Sequence, residues 1–397
     1  KGVWLQNGSK LTANNVHFIY GSKGNSEISV DNRSTLTVNG GSIDSDQDAF
    51  NVNDGSKAEV NNAKVTTGAW ANNAAITLKD STTSGHWLYA GNAFPDPEIE
   101  NDKGSVKEGL PVGSITIDGG TASVKNVLVQ NKGQFNVTNG AVLDVTKDTS
   151  ATDSAWEQPA TGIMKGGEIV VRAWGPNNEW GEKENSDTIN KLDKATSFTV
   201  NGKSTIKADA IDVTGNSYQK HTARAKLMVN ASSTVTANTM NVGKYGYTYF
   251  KDSQLTVNGK LSVSGAADGP TNPNPVGVEM HGSSATLNEV NVKDKGYIDL
   301  DQTNITVKQL TMDSSSAEIK GGSFKAGVIT VNGTDYEADK GDAQITATNS
   351  KIELNNATFI KYGHADIKNS QFTVNGTLKL TSDEAIPDKG INFFDST

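Results

Sequence analysis

The phrase SQLTVNGKLSVSG runs from Ser253 to Gly265, and a near copy, SQFTVNGTLKLTS, runs from Ser370 to Ser382. In both phrases apolar and polar residues alternate on each side of an Asn-Gly pair. Because successive side chains of a β-strand point to opposite faces, the alternation predicts two short strands, each with one buried face. Asn and Gly tolerate the positive φ angles of sharp turns, so the pair predicts a corner between the two strands.

The central hydrophobic–Thr–Val–Asn–Gly motif is repeated along the chain. In the first copy the spacing predicts that Leu36 and Val38 point inward and that Thr37 faces solvent. Asn-Gly also fits a hairpin, but each second strand is followed by another corner and another strand, with no helical periodicity between them. Full copies span Leu36–Gly40, Phe198–Gly202, Leu255–Gly259, Ile329–Gly333 and Phe372–Gly376; looser copies span Phe50–Gly55, Phe135–Gly140 and Leu227–Ser232.

This succession of strands and corners predicts an all-β fold, a single-stranded parallel β-helix (β-solenoid) with roughly 20 residues per coil. Only 35% of the 397 residues are hydrophobic, which suits a core one or two side chains wide. Asn side chains at the corners are expected to bond in ladders between coils. We therefore expect one continuous β-helix over residues 1–397.

The nine prolines all lie outside the strand phrases, as expected for a residue that cannot donate to a ladder. They mark three stretches that are too long for simple corners. We expect these excursions to protrude as loops or small hairpins at residues 85–113, 147–187 and 266–282.

The charge balance argues against two classes of partner. The chain has 36 basic and 45 acidic residues, a net charge of −9, and its arginines are Arg33, Arg172 and Arg224. Nucleic-acid binders usually carry a basic face, so no nucleic-acid partner is expected. The sequence has neither a basic amphipathic helix nor a long apolar run, so no membrane insertion of this fragment is expected.

The TVNG repeats, the richness in Asn, Gly, Thr and Ser, the absence of cysteine and the acidic balance resemble the passenger domains of bacterial autotransporter adhesins of the self-associating and diffuse-adherence type. The resemblance implies a right-handed β-helix that is exported to the bacterial cell surface or secreted. It also implies that this chain is a passenger fragment without the membrane barrel of that family.

Aromatic residues are the candidate ligand-binding groups, because exposed Trp and Tyr offer rigid apolar area with a polar handle. An alternative role is to attach the excursions to the coil, and the tyrosines can also form a solvent-facing ladder between coils. The candidates in and beside the excursions are Trp87, Tyr89, Phe94, Trp156, Trp174 and Trp180; a second group, expected on one side of an extended segment, is Tyr245, Tyr247 and Tyr249.

Catalytic and metal motifs are weak. Asp44, Asp46 and Asp48 alternate along one predicted strand and could share a calcium ion, although no Gly or Glu completes a calcium loop. Their alternative role is a charged strand edge that deters edge pairing. We expect no other cofactor and no catalytic residues.

These observations favour a non-enzymatic surface adhesin that binds host glycans, mucin or an extracellular-matrix protein. Self-association of the β-helices, which would aggregate cells, is a close alternative. A polysaccharide lyase or hydrolase built on a β-helix is the alternative of another class, and it predicts a shallow groove with acidic residues. A purely structural spacer, which needs no site, is a third possibility.

Overall fold

The structure is a computed structural model, and it describes residues 2–20, 27–45, 50–91, 110–130, 132–146, 166–172, 196–218, 221–265, 277–335, 343–382 and 390–397. The chain divides into two compact units, Lys1–Met228 (unit 1) and Val229–Thr397 (unit 2). The described residues form β-strands and turns, as the alternating pattern predicts.

The first nineteen strands lie in residues 3–223. They are β1 (Val3–Leu5), β2 (Lys10–Tyr20), β3 (Ile28–Val30), β4 (Thr35–Ser45), β5 (Phe50–Asn53), β6 (Lys57–Asn61), β7 (Lys64–Val65), β8 (Ala69–Asn72), β9 (Ala75–Lys79), β10 (Thr82–Gly91), β11 (Ser114–Asp118), β12 (Thr121–Gln130), β13 (Gln134–Thr138), β14 (Val142–Val145), β15 (Glu168–Arg172), β16 (Thr196–Val200), β17 (Thr205–Thr214), β18 (Asn216–Tyr218) and β19 (His221–Ala223).

The remaining strands are β20 (Ala225–Val229), β21 (Thr234–Val242), β22 (Gly246–Lys251), β23 (Gln254–Ser264), β24 (Gly277–His281), β25 (Ser284–Lys293), β26 (Tyr297–Asp301), β27 (Asn304–Asp313), β28 (Ser316–Lys320), β29 (Ser323–Gly333), β30 (Ala343–Thr348), β31 (Lys351–Lys361), β32 (Gly363–Lys368), β33 (Gln371–Val374), β34 (Leu378–Thr381) and β35 (Ile391–Phe394).

In each unit the strands pair in parallel with strands one coil earlier and one coil later. In unit 2, for example, β26 pairs with β24 and β28, β27 pairs with β25 and β29, and each coil contributes a strand segment to three ladders. The pair β18–β19 is a small antiparallel hairpin in unit 1. The fold is a parallel β-helix, which confirms the predicted class.

The repeat phrase places its two apolar residues in the core. Leu36 and Val38 are fully buried while Thr37 is partly exposed, as predicted. Leu255, Val257, Ile329 and Val331 are also buried. The last full copy differs, because Phe372 and Val374 are only half-buried.

The copies of the repeat motif do not all lie in the same ladder of the coil. In unit 2, Leu255 pairs with Ala285, whereas Ile329 pairs with Leu310 and Ala357 in a different ladder. The phrase therefore specifies a strand followed by a corner, and its position in the coil is set by its neighbours.

The predicted role of the glycine is right at only some copies. Gly40 and Gly202 have positive φ, at 69° and 64°. Gly259 and Gly376 do not. A Cβ added at either position would lie 2.6 Å from a backbone oxygen of the preceding coil, Asn238 O and Asn355 O respectively. At these two copies glycine is required by close approach of two backbones, which the sequence pattern did not distinguish from a turn.

Another corner in unit 2 pairs a residue of positive φ with a small inward residue. Asp252 has a φ of 49° and precedes Ser253, and Gly282 has a φ of 55° and precedes Ser283. The Ser283 hydroxyl accepts a hydrogen bond from the Ser253 backbone N–H at 3.1 Å and donates one to the His281 carbonyl at 2.8 Å. Buried hydroxyls thus connect successive coils and satisfy backbone groups that the strand ladders leave unpaired.

Asn ladders form as predicted. In unit 1 the Asn61 amide donates to Asn39, and the Asn39 amide donates to Asn14, at 3.0 and 2.9 Å. A second ladder runs from Asn72 through Asn53 to Asp31.

The predicted excursions overlap the coil at several points. β10 includes residues 85–91, β15 lies inside the range 147–187, and β24 lies inside 266–282. β15 pairs in register with β12 and β17, so one coil strand interrupts the second excursion. Residues 92–109, 147–165, 173–195 and 266–276 are outside the described residues. Across the described ranges, no helix has the length and apolar character needed to span a membrane.

Candidate functional site

A band of tyrosine, carboxylate, histidine and lysine side chains lies on the outside of unit 2. It is carried by strands β22, β24, β26 and β28, which are stacked in one parallel ladder. Apart from Thr248, the inward positions of these strands are apolar, so the alternating positions face outward. We call this band the Tyr–carboxylate strip; it consists of Tyr247, Tyr249, Glu279, His281, Tyr297, Asp299, Asp301, Glu318 and Lys320.

The in-register pairing aligns the strip in columns. Tyr249 pairs with Glu279, Glu279 pairs with Asp299, and Asp299 pairs with Glu318. Neighbouring strands lie about 4.8 Å apart. The column therefore holds three acidic residues on three consecutive coils, with a tyrosine at one end.

Two tyrosine hydroxyls hold the outer carboxylates of this column. Tyr247 Oη donates to Glu279 Oε2 at 2.6 Å, and Tyr297 Oη donates to Glu318 Oε2 at 2.7 Å. Burial raises the pKa of both phenols, and the hydrogen-bonded carboxylates raise it further. Both tyrosines therefore remain protonated donors, which fixes the orientation of Glu279 and Glu318.

His281 bridges two carboxylates. Its Nε2 lies 2.6 Å from Glu279 Oε1, and its Nδ1 lies 3.2 Å from Asp301 Oδ2. The ring of Tyr249 lies against the imidazole, with 5.4 Å between ring centroids. Partial burial disfavours the charged ring, but the hydrogen bonds and charges of Glu279 and Asp301 outweigh it and raise the pKa of His281.

Asp299 occupies the centre of the strip. Burial and the charges of Glu318 and Glu279 raise the pKa of its carboxyl, and the nearby Lys320 ammonium opposes that rise. Lys320 Nζ lies 2.9 Å from Glu318 Oε1 but 3.9 Å from Asp299 Oδ2. The buried Oδ1 of Asp299 has no hydrogen-bond partner among the described residues. Perturbed carboxyl and imidazole groups that cluster on one surface are typical of functional sites.

The strip contains two of the three tyrosines predicted as a group. Tyr247 and Tyr249 stack with 6.4 Å between ring centroids, and Tyr249 is the more exposed of the two. Tyr245 lies apart from them in the preceding turn, with a φ of 56°.

Trp87 and Tyr89 lie on the outside of unit 1, but they are buried. With Trp70, Leu128 and Val170 they form an apolar cluster, which we call the Trp70 cluster. The Trp70 and Tyr89 rings lie 4.8 Å apart. Tyr89 Oη accepts a hydrogen bond from the Gln130 amide at 3.2 Å, and burial raises the pKa of Tyr89 to about 12. Only Trp70 in this cluster has an appreciable accessible face.

Asp44 is the described member of the proposed calcium site, and its carboxylate oxygens are hydrogen-bonded to protein donors. Its oxygens accept hydrogen bonds from the hydroxyls of Ser42 and of Thr66, the latter at 3.0 Å. Within the described ranges, no group of three or more His, Cys, Asp or Glu side chains is arranged to hold a metal ion. Asp46 and Asp48 lie outside the described residues, as do Phe94, Trp156, Trp174 and Trp180.

His17, Ser42 and Asp44 also bring together the residue types of a serine-hydrolase triad. His17 Nδ1 lies 2.9 Å from Ser42 Oγ, but the Ser42 hydroxyl donates to Asp44 and the serine is 4% exposed. In a catalytic triad the histidine lies between the serine and the aspartate. The arrangement therefore does not provide an activated nucleophile.

The interior of unit 2 contains a void of about 30 Å³ lined by apolar side chains such as Met280, Leu300 and Ala317. It has no polar group to orient a ligand or a water molecule. The outer strip is therefore the stronger candidate site.

Sequence reasoning missed most of the strip, namely Glu279, His281, Tyr297, Asp299, Asp301, Glu318 and Lys320. Their signal was present as polar residues at alternate positions in VEMHG, YIDLD and AEIK, about one coil apart. The coil register was needed to align them.

No protein-family model matches this chain, and neither does any curated protein or solved structure.

Proposed function

We propose that this protein is a non-enzymatic adhesin of the bacterial cell surface, in which the β-helix presents the Tyr–carboxylate strip to host glycans, mucin or an extracellular-matrix protein. The observation that carries the proposal is the strip itself. It combines aromatic rings and oriented carboxylates on an outer face of unit 2.

The chemistry of the strip suits a hydroxyl-rich ligand. The Tyr249 ring offers a flat apolar surface, and ionised carboxylates accept hydrogen bonds from several directions. Glu279 and Glu318 are already oriented by Tyr247 and Tyr297, so ligand binding would cost little side-chain entropy.

The bacterial source and the surface location are supported by the resemblance to autotransporter passengers. The absence of cysteine agrees with export of an unfolded chain. The excursions, with Trp156, Trp174 and Trp180, are a second set of contacts that the same function would use.

The test is binding of the purified chain to an array of host glycans, mucins and matrix proteins. We expect saturable binding that Tyr249→Ala and Glu279→Gln weaken at least tenfold. Tyr20→Ala, a partly buried tyrosine of unit 1, is the matched control and should bind like the wild type. The triple variant Trp156/Trp174/Trp180→Ala separates the excursions from the strip. Unchanged binding by the two strip variants would remove the strip from the proposal.

A polysaccharide hydrolase is the second candidate, and one observation favours it. Asp299, whose carboxyl pKa is raised, lies between Glu279 and Glu318 in one column. Glycoside hydrolases pair a protonated acid with an ionised carboxylate across the scissile bond. Product release from acidic polysaccharides that is abolished in Asp299→Asn would establish this activity.

Self-association of the chain is tested separately by sedimentation at rising protein concentration.

A further inference from the structure

The two ring nitrogens of His281 both face carboxylate oxygens, and the two carboxylates lie on different coils. Glu279 is on the same strand as His281, whereas Asp301 is at the paired position of the next strand, β26. Both distances are within hydrogen-bonding range.

Only a protonated ring can satisfy both contacts. A neutral imidazole carries one N–H donor and one lone pair, whereas the imidazolium has two donors. Ionised carboxylates are acceptors only. If His281 loses its proton, one lone pair must face a carboxylate oxygen, and that contact becomes repulsive.

The charged surroundings favour the proton. Glu279 Oε2 already accepts from Tyr247, so that carboxylate is held in place for Nε2. The groups that face the imidazole or its partners come from four consecutive strands of this ladder and from an adjoining corner. They are Tyr247, Tyr249 and Lys251 from β22; Glu279 from β24; Tyr297, Asp299 and Asp301 from β26; Glu318 and Lys320 from β28; and Asp252 from the corner.

We propose that His281 is a proton-operated latch between consecutive coils of unit 2. When protonated, it joins β24 to β26 through Glu279 and Asp301; when neutral, it releases one of these carboxylates and makes the strip more negative. The latch is a property of unit 2 and does not depend on the adhesin role.

The sign of the effect follows from the direction of the shift. The pKa of His281 is raised in the folded protein above its ordinary value of 6.5. Its contribution to stability is therefore complete below pH 6.5 and is lost as the pH rises through the raised value. The latch is therefore closed at low pH and opens as the pH rises through the raised value.

The experiment is an NMR titration of the full chain labelled in its histidine rings, from about pH 5 to about pH 9. Amide hydrogen exchange of residues 297–301 is measured in parallel and expressed as protection factors, which removes the intrinsic pH dependence of exchange. We expect the His281 ring to titrate above pH 6.5, and protection of these amides to fall over the same interval.

Two variants and one control test whether His281 causes the pH dependence of amide protection. His281→Gln should abolish the pH-dependent part of the protection, and Asp301→Asn should lower the titration midpoint of His281. His364→Gln changes a buried histidine in the same ladder of unit 2 and should leave the pH dependence unchanged. A His281 midpoint at or below 6.5, or the same pH-dependent protection in His281→Gln, would overturn the proposal.

Discussion

The phenyl rings of Phe135 and Phe198 stack in the core of unit 1, with 4.9 Å between their centroids and 12° between their planes. The predicted excursion at residues 147–187 lies between them in the sequence. The strands that carry them nevertheless pair in register, Phe135 with Phe198 and Val137 with Val200. The chain thus returns to the same ladder at the same position after the inserted segment, and an aromatic pair fills the core there.

This stack predicts a large loss of stability when one ring is removed. Phe198 is 1% exposed, and truncation of a buried phenylalanine to alanine costs about 3–5 kcal/mol. Phe198→Ala should therefore lower the denaturation midpoint of the chain strongly in a circular-dichroism experiment. Phe394→Ala, at a position that is 53% exposed, is the control and should change stability by less than about 0.5 kcal/mol. Equal effects of the two changes would contradict the pairing.

Asp299→Asn should stabilise unit 2 at neutral pH. The substitution removes the central charge of the three-carboxylate column while keeping the shape of the side chain, and we expect a gain of roughly 0.5–1 kcal/mol. Because the pKa of Asp299 is raised in the folded protein, ionisation of Asp299 lowers the free energy of unfolding of the wild type as the pH rises through the folded value. In acid Asp299 is protonated, and the wild type recovers that free energy. The difference between variant and wild type should therefore shrink as the pH falls.

The measurement is thermal unfolding at several pH values. Asp313→Asn lies at an exposed position of another ladder and serves as control, since no gain is expected there. A lower midpoint for Asp299→Asn at neutral pH would show that the charge of Asp299 is stabilising.

The buried hydroxyl of Ser283 predicts that Ser283→Ala lowers the free energy of unfolding. The change leaves the buried N–H of Ser253 without its acceptor, which costs about 1–3 kcal/mol. Thr286→Ala, on the outer face of β25, should have little effect on the same chemical denaturation midpoint. If the two variants were equally stable, an ordered water or a shifted backbone would have replaced the hydroxyl.

The apolar void predicts that Ala317→Val is stabilising. Ala317 lines the void, and each buried methylene contributes about 0.8 kcal/mol. Ala347→Val is the matched control, because Ala347 is fully buried on the next strand of the same ladder and does not line the void. The added volume there should destabilise by about 1–3 kcal/mol. Differential scanning calorimetry of both variants distinguishes filling from overpacking, and a loss of stability in Ala317→Val would show that the void does not accept the side chain.

The sequence predicted the fold because its signal is local. Alternation at Leu36, Thr37 and Val38 sets which side chains are buried, and the corners follow from Asn and Gly. The site was less predictable because it depends on register. Successive members of the column Glu279, Asp299 and Glu318 are about twenty residues apart in the sequence. They align only because the corners between them have the lengths seen in the structure, and those lengths could not be read from the sequence.

The sequence left open whether Trp87 and Tyr89 are accessible ligand-binding groups or attach an excursion to the coil. Both lie at outward positions of β10, and a strand pattern alone predicts that outward aromatic residues are accessible. Their burial in the Trp70 cluster is a tertiary effect on an outer surface.

Apart from the β18–β19 hairpin, the described strands pair with strands of the preceding and following coils, and this has a consequence for assembly. β26 bonds to β24 and β28, so its ladder hydrogen bonds involve no strand beyond the two adjacent coils. A finished coil presents an open edge that templates the next coil. Coils can therefore form their ladder hydrogen bonds in the order in which their residues become available. A chain supplied from one end can therefore grow by elongation, with one slow nucleation event and many fast additions.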